Sequence, residues 1–103
     1  MYRYTDVPLT LTINGADLTG AQDIHVTFAQ GVYKTLDITD AVLVGTNTLT
    51  LTLTQKQSGA FDGQVECQVN WIDANGKRKA TDKAVIPVWD NLLRHAIEVT
   101  GDG

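Results

Sequence analysis

Cysteine occurs once in the 103 residues, at Cys67. An internal disulfide, a thiolate zinc set and a C-x-x-C redox pair are therefore all excluded. Serine also occurs once, at Ser58. A nucleophile elbow needs glycine two residues to each side of its serine, and those positions hold Lys56 and Ala60. No apolar run approaches the roughly 20 residues that a membrane-spanning helix requires. Positive charge is scarce: 8 Lys and Arg stand against 12 Asp and Glu, a net charge of -4. Nucleic-acid binding relies on clustered cations that displace counterions, so no nucleic-acid partner is expected. The first residues show neither an apolar h-region nor a small-residue cleavage site, so no secretion leader is expected.

What the chain does have is alternation. Hydrophobic residues make up 43% and charged residues 19%, ordinary for one globular domain of this length. A period of two runs from near the start to about Trp89, with threonine repeatedly on the polar side. Leu9, Leu11 and Ile13 share one face of a first strand. Ile24, Val26 and Phe28 share a face of a second, with His25, Thr27 and Ala29 opposite. Strands are predicted over 32–38 and 41–44, then over 48–54, where Leu49, Leu51 and Leu53 point one way. One apolar and one polar face per strand is the pattern of antiparallel sheets.

Residues 55–60 are short and polar and read as a corner carrying the chain between sheets, with Phe61 as its plug. The best core strand covers 64–72, with Val65, Cys67, Val69 and Trp71 inward. Asp73-Ala74-Asn75-Gly76 supplies hairpin chemistry. A return arm over about 78–88 is expected to turn Ala84, Ile86 and Val88 inward, with Pro87 at an edge. About seven strands at this spacing predict an all-β, immunoglobulin-like antiparallel two-sheet sandwich. The expected domain is single, with the sandwich over about 7–89, a short C-terminal helix capped by Asp90 over about 90–98, and a frayed tail over 99–103.

No catalytic, metal-binding or cofactor-binding set emerges, and a non-enzymatic protein is expected. His25 and His95 lack any ligand spacing. Asp73 opens a sequence like a calcium loop, but the twelfth position is Ala84 rather than an acid. Asp37 and Asp40 read as a solvated turn. Lys77, Arg78 and Lys79 read as a hairpin arm whose lysines blunt a sheet edge. Cys67, on the inward face of its strand, reads as a small buried hydrophobe.

The chain ends are richer. Tyr2 and Tyr4 precede the first strand, while Trp89, Leu92, Leu93 and Ile97 follow the last. Tyrosine and tryptophan dominate interface hot spots, which makes these six the candidate partner-binding residues. Two readings stand side by side: the C-terminal segment caps its own sandwich, or it packs on a partner.

The stretch 53–71, from Leu53-Thr54-Gln55 through Phe61-Asp62-Gly63 to Trp71, closed by Asn75-Gly76, resembles the immunoglobulin-like domains of phage and prophage tail proteins. It is most similar to the amino-terminal domain of the baseplate upper protein family, with looser likeness over about 7–89. The resemblance implies a virion structural or adaptor protein acting through protein contacts, with other tail or baseplate proteins, or further copies of itself, as partners. It implies expression in the bacterial cytoplasm and incorporation into a virion. Relatives continue into helical or receptor-binding parts, whereas this sequence stops soon after the sandwich, which favours a small assembly module. An immunoglobulin-like carbohydrate-binding or adhesion module is the alternative, on fold analogy alone.

Overall fold

The computed structural model describes residues 1–31, 34–95 and 97. Eight strands and one short helix follow in the order β1 (Val7–Thr12), β2 (Gln22–Gln30), β3 (Lys34–Ile38), β4 (Val42–Val44), β5 (Thr48–Leu53), α1 (Gln55–Gly59), β6 (Gly63–Ile72), β7 (Arg78–Ala80) and β8 (Ala84–Val88). They form two antiparallel sheets, one ordered β1-β5-β4 and the other β3-β2-β6-β7, with β8 also paired to β6. The expected all-β sandwich is the fold. The order β1-β5-β4 corresponds to strands B-E-D of an immunoglobulin sandwich, and β3-β2-β6 with β8 on β6 to strands C′-C-F-G, with no counterpart of strand A among the described residues.

The core is what the alternation specifies. Leu49, Leu51 and Leu53 of β5 face Val65, Cys67, Val69 and Trp71 of β6 and Val26 and Phe28 of β2, all buried. The other face of β5 carries Thr48, Thr50 and Thr52 and that of β6 Gln64, Glu66, Gln68 and Asn70, so in these strands a register slip of one residue would turn the apolar side chains into water. Leu18, which belongs to no strand, is also fully buried; its amide donates to the Thr46 carbonyl at 2.7 Å, closing one end of the sandwich.

The corner is a helix of five residues with a complete capping box. Thr54 Oγ1 accepts from the Gln57 amide at 3.2 Å, and Gln57 Oε1 accepts from the Thr54 amide at 2.8 Å. The box supplies partners that so short a helix cannot find in its own turns. Phe61 follows it into the core, 2% exposed.

Three expectations are corrected. The return arm is two strands rather than one, giving eight strands in place of seven, because Thr81 takes over the pairing between them. Its amide donates to the Val69 carbonyl at 2.9 Å, and its hydroxyl accepts from the Val69 amide at 3.1 Å. Ala84 is exposed: it opens β8 at the side of the sandwich where a groove runs between Leu11 and Ile13 on one edge and Cys67 and Val69 on the other. Finally, residues 90–95 and 97 form no helix. The Asp90 carboxylate is engaged by Arg3, by Arg94 and by the adjacent Asn91 amide, so it makes a bend instead of capping a first turn. The remaining parts of the expected helix, residues 96 and 98, the tail over 99–103 and the strand start at 32 and 33 lie outside the described residues.

Candidate functional site

Alternation along β8 decides what its end presents. Val88 is buried and Ile86 half-buried, so Val85, Pro87 and Trp89 face outward, and Val85 is 57% exposed. The first residues of the chain run parallel beside this end, with Tyr2 bridged to Trp89. The Met1 nitrogen donates to the Pro87 carbonyl at 2.7 Å. The Trp89 amide donates to the Met1 carbonyl at 2.7 Å, and the Arg3 amide to the Trp89 carbonyl at 3.0 Å. This pairing brings the Tyr2 and Trp89 rings to 5.3 Å between centroids, tilted by 53°.

Beneath the two rings, polar groups fix both chain ends to the corner helix. The Arg3 guanidinium donates to the Gly59 carbonyl at 2.8 Å and to Asp90 Oδ1 at 3.3 Å, and lies 5.1 Å over the Tyr4 ring. That ring rests on Gly59 so closely that a Cβ there would stand 2.3 Å from Tyr4 Cδ1. Ser58, fully buried, accepts from the Thr5 amide at 3.1 Å and donates to the Thr5 carbonyl at 2.7 Å. The lone serine thus ties the entering strand to the helix.

The segment after β8 is held in the same way. Asn91 Nδ2 donates to the Arg3 carbonyl at 3.1 Å. Gln55 brackets the Ile97 backbone, donating to its carbonyl at 3.2 Å and accepting from its amide at 2.7 Å. Its backbone is therefore anchored on its own domain while its apolar side chains face out. Leu92 is fully exposed, Ile97 62%, and Tyr2, Trp89 and Leu93 between 44% and 56%.

Of the six residues the sequence nominated, five are exposed, and the structure brings two of them, Tyr2 and Trp89, together. Tyr4 is the exception: it is half-buried, with its ring in the Gly59 contact. Sequence reasoning missed Val85 and Pro87. Their position opposite Ile86 and Val88 in the alternation was the available signal.

A second concentration of chemistry lies on the outer face of the five-stranded sheet. His25 Nδ1 and Asp37 Oδ2 are 2.6 Å apart, and Thr27 Oγ1 donates to Asp37 Oδ1 at 3.3 Å. One strand further, Arg78 donates through Nε and NH2 to Asn70 Oδ1 at 3.4 and 3.2 Å. A shallow groove of about 460 Å³ runs between them. Asp37 thus pairs with His25 rather than with Asp40. The hydroxyl in this group, Thr27, is directed at the carboxylate and not at the imidazole, and Ser58 is sealed under the chain ends, so neither is placed as the nucleophile of a histidine-activated pair.

The remaining candidates have structural employment. The Asp73 carboxylate accepts from the Asn75 and Lys77 amides, each at 2.9 Å. The Lys77 bond leads in holding its pKa below the ordinary 3.8. Burial pushes the Cys67 thiol up to about 11, which keeps it protonated and unreactive at neutral pH. Among the described residues, no group of three or more His, Cys, Asp and Glu is placed to hold a metal ion, and no helix is long and apolar enough to cross a membrane.

Comparison of the chain with protein-family models, with curated proteins and with solved structures returns no match.

Proposed function

We propose that this chain is a non-enzymatic structural or adaptor module of a phage or prophage tail or baseplate, made in the bacterial cytoplasm and incorporated into a virion, and that it binds other tail proteins through the face formed by its chain ends. One observation carries the binding part of the reading. Tyr2, Trp89, Leu92, Leu93 and Ile97 are exposed, while the backbone beneath them is held by Arg3, Asn91 and Gln55. Polar bonds do the ordering, and the apolar side chains contribute little to folding. A preordered apolar face loses less entropy on docking than a flexible tail does. The phage part rests on the resemblance of residues 53–71 to tail immunoglobulin-like domains.

A sugar-binding reading draws on the same two rings. Their 53° tilt offers no single flat platform for a pyranose, so protein contact is better supported.

The test is binding of the purified chain to purified tail and baseplate proteins encoded beside it, with a glycan array in parallel. Saturable binding to at least one of those proteins, with the array at background, is the expected result. Failure to bind any of them, or a glycan hit that Trp89→Ala removes, would overturn the proposal.

A further inference from the structure

Among the described residues five strands lie at sheet edges, and four of them carry a charge or a proline that discourages pairing with another chain. β1 contains Pro8, which has no amide to donate. β3 carries Asp37, and β7 carries Arg78 and Lys79. β8 has Pro87, and its end is covered by the bridge to Tyr2. The exception is β4, whose only guard is its length of three residues. Its residues Val42, Leu43 and Val44 include no charge and no proline, pair in unbroken register with β5, and have no other strand partner among the described residues.

The surface around that edge is also uncharged. Leu43 packs against the core, which leaves Val42 and Val44 outward, 59% and 53% exposed. Beside them in register stand Thr50 and Thr48, and beyond those Thr10 and Thr12. A protein surface normally mixes in about 25–35% charged residues.

We propose that this edge pairs with the same edge of a second copy: two β4 strands antiparallel across a two-fold axis at Leu43, joining two three-stranded sheets into one of six strands. The two-fold makes the register self-complementary. Leu43 meets its counterpart, and Val42 meets Val44 of the second copy, a cross-strand pairing of β-branched residues that sheets favour. The nearest charge, Asp40, falls opposite Thr46 of the second copy, so no acid faces another. This is strand addition, with main-chain bonds supplying the affinity and the valines the register.

Three residues per strand cover a few hundred Å² per copy, well under the roughly 1,200–2,000 Å² of stable interfaces. The dimer is therefore weak in solution and gains force where an assembly holds copies at high local concentration. Two copies of charge -4 repel, so added salt strengthens the pairing by screening.

Sedimentation equilibrium of the full chain up to about 1 mM tests this, since an interface of this area is weak and transient. The weight-average mass should rise toward the dimer, more steeply at 0.5 M salt (~4 Å Debye length) than at low salt. Val42→Lys and Val44→Glu should each reduce association at least about tenfold, by leaving a charge opposite an apolar partner. The double variant V42K/V44E should recover it, because antiparallel register sets each lysine opposite a glutamate of the other copy. Both positions are exposed, so unchanged melting temperatures are expected throughout. Trp89→Ala should leave this association intact, which separates it from docking through the chain ends. A monomer at every concentration, no recovery in the double variant, or dimerisation abolished by Trp89→Ala would each overturn the proposal.

Discussion

Gly59 has no room for a side chain, because the Tyr4 ring occupies the place where a Cβ would stand. Gly59→Ala should therefore cost about 1–3 kcal/mol, the range for overpacking a filled site. In a Tyr4→Ala background the same change should cost much less, a coupling that urea denaturation of the four proteins measures as a double-mutant cycle. Asp73 shows the same economy in electrostatics. The Lys77 amide and its other bonds depress its pKa below 3.8, so its contribution is in place at neutral pH. That contribution is lost as pH falls through the lowered folded value. Thermal melts of Asp73→Asn should accordingly show a shallower loss of stability between about pH 5 and pH 3 than the wild type does. An identical slope in the two proteins would mean that the carboxylate charge plays no part in the turn.

Among the elements, β5 and β6 were legible in full, because apolar residues at every second position and polar ones between leave a single register that buries a face. Leu51, 8% exposed at the centre of β5, makes the sharpest test. Leu51→Asp places an unpaired carboxylate in the core at a cost of several kcal/mol, against a total stability of roughly 5–15 kcal/mol. Calorimetry should show no cooperative melting transition for this variant; a retained transition would mean that the side chain does not face the core. The corner was read as a turn and is a short helix; the signal for it was Thr54 and Gln57 at capping-box spacing. The expected helix over 90–98 failed for a reason no local window contains. Its cap residue is held by Arg3, 87 positions away, and its backbone by Gln55, 42 positions away. The break at Thr81 likewise depends on a bond to β6, and a continuous alternation from 84 to 88 gives no sign of it.

In the whole molecule, the corner helix joins the two sheets and is also the post to which Arg3, Thr5 and Ile97 are tied. The nomination of Tyr2, Trp89, Leu92, Leu93 and Ile97 followed from residue type and position near the ends. The contact of Tyr2 with Trp89 did not, because it depends on a parallel bridge between residues 87 apart. The edge of β4 lies in the other sheet, so the two proposed contacts, docking through the chain ends and self-pairing through β4, use different sheets. The central claim is that the chain-end side chains serve binding and contribute little to folding. It is tested most directly by calorimetric titration of the wild type and of a Trp89→Ala, Leu92→Ser double variant into purified neighbouring tail and baseplate proteins, with a thermal melt of each. The expected result is a melting temperature lowered by no more than about 4–8 °C, the scale of losing the Trp89 contact with Tyr2, together with a loss of at least about 100-fold in affinity, the scale of removing hot-spot residues. Undiminished binding by the variant, or a drop in melting temperature as large as a core truncation causes, would contradict it.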